Sequence, residues 1–325
     1  MLRTTCIGNY PKLPSEKGQV NIRKTLHRFD KKEITRAELD EAFDSVTARV
    51  ILEQIEAGVD LPTDGQIRWD DIVTPLAKHL AGFEIGGLLR WFDNNVYYRK
   101  PKVSGAVQWR DPITVNQFRF ASKKAGKAIK AILPAPYSFA LLSDNSHYGS
   151  QKLLVEALSA ALRSEAEALI SAGATHIQFD DPCLPYSSED ADLAFSALNN
   201  VTNGLKAEFW TCYYFSNISN LMPKIGQLKI DVIAADCVSH PANIDSLISL
   251  GGKFKCCFGI VDARNIKMEE PAQLQKTLKK IAAQNPDAYT SPSCGLEFLP
   301  HREALAKIRL MTKAVAETDG GSKNA

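Results

Sequence analysis

The feature that most limits what this chain can fold into is a tight alternation of strand-like and helical runs from about residue 174 to residue 317. THIQFDD, AEFWTCYY, DVIAADC, KFKCCFGIV and YTSPSCG each have the β-branched, aromatic or small apolar make-up of a buried strand. Helical stretches separate most of them, near 216–227, 241–250 and 270–284, and a last helix near 301–317 follows YTSPSCG. Strand, helix, strand at this spacing predicts right-handed βαβ units around a parallel sheet.

The first half joins the pattern more loosely. TTCIGNY (4–10), VDLPTDG (59–65) and AILPAPYSF (131–139) read as strands. Residues 34–58 read as an amphipathic helix: Thr35 and Glu38 make a capping-box pair, Leu39, Phe43, Val46, Val50 and Ile55 recur at helical spacing, and Gly58 ends the run. A second helix, QKLLVEALSAALRSEAEALISAG, carries Leu154, Leu158, Leu162 and Leu169 on one face and closes at Gly173.

A chain of 325 residues suits one large α/β barrel or two ordinary domains. No composition break or Pro/Gly/Ser linker divides it, so the expectation is an α/β fold with a single (β/α)8 TIM barrel over 1–325. About nine strand runs, KPKVSGAV near 101–107 among them, compete for the ~8 places. GGLLRWFDNNVYYRKP has no clean period and is expected to form a hairpin or flap over 86–105, and TDGGSKNA (318–325) a frayed tail.

Charge excludes some classes of partner. With 39 basic and 37 acidic residues the net charge is +2, which suggests neither a nucleic-acid nor a membrane-surface partner. KKAGKAIK (123–130) reads as the solvated face of a helix. The start, MLRTTCIGN, lacks a signal peptide's charged and apolar regions, and no run approaches a membrane span. Seven scattered cysteines point to free thiols and a cytoplasmic setting, with adjacent Cys256 and Cys257 in the core.

The polar residues have a positional regularity. Asn9, Asp64, Gln66, Asp180, Asp181, Cys212, Asp236, Asp262 and Cys294 each fall at the end of a strand-like run or just past it. In a parallel barrel those ends share one rim, where active sites are built. Two thiolates and a carboxylate there suit Zn²⁺, which takes S, N and O ligands. Without a CxxC spacing, Cys212 and Cys294 taken by themselves read as structural core ahead of metal ligands. Asp180 and Asp181 fit a helix N-cap as well as a binding site.

The motifs resemble, in order and over nearly the whole chain, the catalytic barrel of the cobalamin-independent methionine synthase family, in its short single-barrel form. TTCIGNYPKL is similar to that family's opening IGS-type strand, LPTDGQIRWD to its DGE-type motif and IQFDDPCL to its aspartate-acid-proline motif. WTCYY stands at its His-x-Cys, DVIAADC at the strand ending in glutamate, GIVDARN at GVxD and SPSCGL at PDCG. The resemblance implies the barrel shared with the uroporphyrinogen decarboxylase type, and one zinc that binds the homocysteine thiol for methylation.

Carried over by position, the resemblance implies Cys212, Asp236 and Cys294 as zinc ligands. Trp210 holds the histidine place and has no lone pair to offer; His240 is the candidate fourth ligand. Ile7, Gly8, Asn9, Gln66 and Asp180 are implied to hold homocysteine, with Asp180 taking the ammonium. Asp180 and Arg264 are the implied catalytic residues.

The family's folate-side tryptophan, acid and histidine correspond to Leu142, Tyr186 and Arg264. Their joint loss leads to the expectation that the methyl donor is methylcobalamin or another methylcorrinoid, free or on a corrinoid protein. Two other readings stay open: a zinc alkyltransferase acting on another thiol such as coenzyme M, and a non-catalytic corrinoid-binding accessory protein. Arg264 is otherwise a partner for Glu269 or Glu270.

Overall fold

The structure, a computed structural model, describes residues 1–14, 18–94 and 96–320. In chain order the strands are β1 (Arg3–Thr4), β2 (Ala81–Arg90), β3 (Tyr97–Gln108), β4 (Lys130–Pro134), β5 (Asp144–Asn145), β6 (His176–Asp180), β7 (Glu208–Tyr213), β8 (Val232–Asp236), β9 (Lys255–Val261) and β10 (Tyr289–Pro292). The chain divides into two compact units. The first comprises Met1–Arg68, Arg119–Lys130 and Ile233–Ala325, and the second Trp69–Phe118 and Ala131–Val232. Both are α/β with parallel strand pairing.

In the first unit β8, β9, β10 and β1 lie side by side in that order. The pairs β9–β10 and β10–β1 are parallel. Single parallel bridges continue the ladder from Thr5 to Leu61 and from Thr63 to Lys130. The strand predicted over 4–10 is therefore shorter than expected, because the chain turns away after Thr5 to build a loop. The helix Arg36–Glu56 carries the predicted capping box: Thr35 accepts the Glu38 N–H, and the Glu38 carboxylate accepts the Thr35 N–H at 2.7 Å. Val46, Val50 and Ile51 are fully buried on its inner face, each worth roughly 1.5–3 kcal/mol on transfer from water.

Two expectations for this unit change. KKAGKAIK is not one solvated helical face: Lys123 and Lys124 end the helix Val115–Ala125, Gly126 turns the chain at φ +61°, and Lys130 is buried at the start of β4. The last helix runs His301–Gly320, past the start of the predicted frayed tail. The Thr318 hydroxyl donates to Gln275 at 2.8 Å. Residues 321–325 of that tail lie outside the described residues.

In the second unit β4, β6 and β7 are neighbours in that order. β6 and β7 run parallel from His176 opposite Glu208 to Asp180 opposite Cys212. β2 and β3 form an antiparallel hairpin, to which β5 adds a short parallel pairing. The run near 101–107 belongs to this hairpin and is the strand candidate outside the parallel ladders. Pro136 opens the helix Pro136–Leu141, so the strand predicted over 131–139 stops at Pro134; a fixed φ suits proline to a first helical turn. The helix Gln151–Ser171 buries Leu154 and Leu158, and Ser159 donates to the Ala197 carbonyl of the helix Ala191–Thr202 at 2.8 Å. The helical stretch predicted near 216–227 is two 3-10 turns, Ser219–Leu221 and Ile225–Gln227. Among the described residues no helix is long and apolar enough to cross a membrane.

Candidate active site

Three loops meet in the first unit, after β1, after the bridge at Thr63 and after β10. The Tyr10 N–H donates to the Gly65 carbonyl at 2.9 Å, the Thr63 hydroxyl to the Gly8 carbonyl at 3.2 Å, and the Leu296 N–H to the Asn9 carbonyl at 2.7 Å. Gly65 makes the close approach possible. It sits at φ +69°, and a Cβ there would lie 2.7 Å from a Val50 methyl and 3.0 Å from Tyr10 Cβ.

Gln66 follows at φ +47°, a left-handed conformation that a side chain of this type seldom adopts. Its side chain is 1% exposed, and neither amide atom has a hydrogen-bond partner. A buried amide left this way carries a desolvation cost that a bound ligand would remove. Ile7 is buried beside this loop system, and Asn9 Nδ2 lies 3.5 Å from Glu297 Oε1. Burial raises the Asp64 carboxyl above its ordinary range, against the Gln66 N–H that it accepts at 2.9 Å.

The same unit holds Asp236 and Cys294. One Asp236 carboxylate oxygen accepts the N–H groups of Val238 and Ser239, both at 2.9 Å, which fixes its orientation at the strand end. Arg264 Nη2 donates to the Ser239 hydroxyl at 2.8 Å. The alternative partner Glu269 is engaged elsewhere, by the buried Lys307 at 2.7 Å and the Asp262 N–H at 2.8 Å. Burial pushes the Cys294 thiol well above its ordinary range; Glu297 and Asp236 push it further, and Arg264 opposes them. His240 is half-buried, and its carbonyl accepts the Asn243 N–H at 2.9 Å.

In the second unit the end of β6 places two carboxylates. Asp180 accepts from Gln178 Nε2 at 2.6 Å and from the Tyr214 hydroxyl at 3.3 Å. Asp181 accepts from the Ser138 hydroxyl, which itself accepts the Cys183 N–H at 3.0 Å. Burial pushes Asp181 up to about 7, with the Ser138 hydrogen bond opposing. Neither acid caps the 3-10 turn Leu184–Tyr186 that follows, whose N-cap makes no side-chain bond. Cys212 is buried opposite Asp180. Trp210 is fully buried, with its indole N–H donating to Glu208 at 3.2 Å.

Among the described residues no group of three or more His, Cys, Asp or Glu side chains is arranged to hold a metal ion. The donor chemistry still suits zinc. Burial first, and then the charges of Glu297 and Asp236, hold the proton on the Cys294 thiol, and a divalent cation bound there would reverse that balance by favouring the thiolate. Ser138, Tyr214 and Glu297 were not singled out in the sequence. Glu297 and Tyr214 had a signal, each lying within three residues of a flagged cysteine; Ser138, inside a run taken for strand, had none.

The family model described as "Cobalamin-independent synthase, Catalytic domain" matches residues 2–317. A methionine synthase of Saccharolobus solfataricus is 31% identical over 324 residues, covering 98% of this chain and 96% of that protein. One of Sulfolobus acidocaldarius is 29% identical over 317 residues, covering 96% and 91%. Among solved structures, a B12-independent methionine synthase from a Shewanella species in complex with selenomethionine matches with a TM-score of 0.85 at 23% identity, over 99% of both chains. A putative vitamin-B12 independent methionine synthase from Listeria monocytogenes matches at 0.73 and 17%, over 98% of both. These two structures speak for the fold.

A family of cobalamin-independent enzymes overturns the expectation of a methylcobalamin or methylcorrinoid donor. The corrinoid protein as partner and the corrinoid-binding accessory reading fall with it. Residues unsuited to a folate at Leu142, Tyr186 and Arg264 are not thereby suited to a corrinoid. Leu142 is in fact buried, and the Tyr186 hydroxyl donates to the Phe215 carbonyl at 2.9 Å.

Proposed function

The chain belongs to the family of cobalamin-independent synthase catalytic domains, and on that footing we propose that it is a homocysteine S-methyltransferase that makes methionine from a corrinoid-free methyl donor. The observation in the structure that carries this reading is Gln66, a strained, buried and unpartnered amide at the end of a strand-like run. The parallel pairs β1–β10, β9–β10 and β6–β7, with the parallel bridges Thr5–Leu61 and Thr63–Lys130, support a (β/α)8 barrel as its architecture. The β2–β3 hairpin is the proposed flap.

Asp180 receives the substrate ammonium. Gln178 and Tyr214 hold its carboxylate before substrate arrives, so little reorganisation is left for the bound state. Gln66 offers both an acceptor and a donor to the amino-acid end of the substrate. Ile7, Gly8 and Asn9 line that end, and Arg264 supplies positive charge beside Cys294.

Zinc is proposed on Cys212, Asp236 and Cys294, with His240 as the candidate fourth ligand. A free alkyl thiol, with a pKa near ~8.5, is mostly protonated at neutral pH. Zinc bound there would supply the thiolate form of a coordinated thiol. In the transfer the homocysteine sulfur uses a lone pair to form the S–C bond to methyl, and the donor keeps the electron pair of the bond that breaks.

The reading is tested by expressing the chain in a methionine auxotroph lacking its own synthases and supplied with homocysteine. Restored growth, lost in Cys294→Ser, supports it. Failure to grow, together with no binding of homocysteine by the purified zinc-loaded protein, overturns it.

A further inference from the structure

We propose that His301 is a positioning residue for the methyl-transfer site: through its hydrogen bond to Glu53 it sets where the Cys294 loop stands. The proposal rests on the reading of Cys294 as a zinc ligand. It extends that reading to two residues outside every motif quoted above.

Cys294 is held on both sides. Before it, the Ser293 N–H donates to the Val261 carbonyl of β9 at 2.8 Å; after it, the Leu296 N–H donates to the Asn9 carbonyl at 2.7 Å. The chain then makes the 3-10 turn Leu296–Phe298 and enters the helix His301–Gly320. His301, the first residue of that helix, is only 4% exposed. Its Nε2 lies 2.7 Å from Glu53 Oε2, on the helix Arg36–Glu56. A carboxylate only accepts, so the imidazole carries a proton on Nε2 and donates.

Two further contacts fix this pair. The Tyr10 ring meets the His301 ring edge-on, with centroids 5.6 Å apart and planes at 71°. Tyr10 is itself wholly buried, and its N–H donates to the Gly65 carbonyl at 2.9 Å. On the other side, Arg49 Nε stands 3.6 Å from the second Glu53 oxygen, one helical turn back. His301 is therefore anchored to one helix by Glu53 and to the β1 loop by Tyr10. Cys294 sits on a short tether between its contact with β9 and this anchor. A metal ligand has to be held to within about 0.5 Å by the groups around it, and those groups matter nearly as much as the ligand. With the His301 anchor gone, the turn and Cys294 gain freedom that a ligand cannot use. A pair that only stapled two helices would change stability and nothing else.

The test uses the purified full chain and two readouts: zinc affinity by competition with a chromophoric chelator, and the thiolate-to-metal absorption of the cobalt(II)-loaded protein. Urea unfolding of the metal-free form is followed alongside. His301→Phe keeps a ring against Tyr10 and removes the donor. It is expected to weaken zinc binding about tenfold, the low end for loss of a group that orients a ligand, and to reduce the cobalt–thiolate band. His301→Gln, which puts an N–H near the place of Nε2, is expected to recover most of that loss. The decisive variant is the double, Glu53→Leu with His301→Phe. Replacing both polar partners by apolar groups leaves neither of them buried and unmatched, so its unfolding midpoint should rise above that of His301→Phe. Its zinc affinity should stay at the lowered level. Zinc affinity that returns to wild type along with stability makes the pair structural and overturns the proposal, as does unchanged affinity in His301→Phe. If His301→Phe does not fold, the double variant decides on the same criteria. Wild-type protein that binds no zinc overturns the metal reading, and this proposal with it.

Discussion

The backbone N–H of Asp181 donates to the carbonyl of Cys212 at 2.9 Å, and Asp180 is the β6 residue directly opposite that cysteine. The two acids are successive, yet their surroundings differ. Asp180 is held by an amide and a phenol, whereas Asp181 is desolvated against a serine hydroxyl.

That desolvation predicts a pH dependence of stability. Asp181 has a folded-state pKa raised from 3.8 to about 7, so the folded chain holds a proton that the unfolded chain has released. Stability is then highest below the unfolded value and falls as pH rises from about 4 to about 7, by at most about 4 kcal/mol. Asp181→Asn, which mimics the protonated acid, should flatten this slope. Urea unfolding midpoints collected from pH 4.5 to pH 8 would show it; parallel profiles for the two proteins would refute it.

Gln66 predicts a trade between stability and binding. Gln66→Gly removes an unpartnered buried amide and relieves the φ of +47°, so the variant should be more stable by about 1 kcal/mol. Methionine affinity should fall about tenfold or more, because the amide's two contacts to ligand are gone. Thermal unfolding and calorimetry on one preparation measure both effects.

Glu165 predicts a large structural cost away from the site. It is buried on the helix Gln151–Ser171 and accepts from Trp109 Nε1 at 2.7 Å, Ile113 N at 3.0 Å, and Thr114 N and Oγ at 2.7 and 2.6 Å. Glu165→Ala leaves the buried Thr114 donors and the half-buried Trp109 and Ile113 donors unmatched, at a cost of about 3 kcal/mol. Glu165→Gln keeps one acceptor oxygen and should lose less. Equal losses in the two variants by urea titration would count against the clamp.

Zinc content tests the ligand set. Cys212→Ser and Cys294→Ser should each lower bound metal from about one ion per chain to near none and abolish methyl transfer, with far-UV circular dichroism unchanged. His240→Ala should reduce affinity about tenfold if the loop histidine completes the set, and leave it unaltered if it does not. Metal analysis after dialysis against a weak chelator separates these outcomes.

Much of this protein was readable from residue order. The α/β class followed from alternating periodicity, and Thr35 with Glu38 marked a helix start, because both signals are local and repeat within a few residues. The family was legible for a related reason, since short motifs in a given order need no coordinates. Tertiary structure decided the rest. Lys130 ends a lysine-rich tract and is buried, because its backbone joins a parallel ladder with Thr63. Pro136 cut a predicted strand short, since a fixed φ fits a helix start better than continued pairing. Ser138 meets Asp181 across 43 residues, and Glu297 meets Asn9 across 288. Such contacts depend on which loops the fold brings together, and no local pattern encodes that.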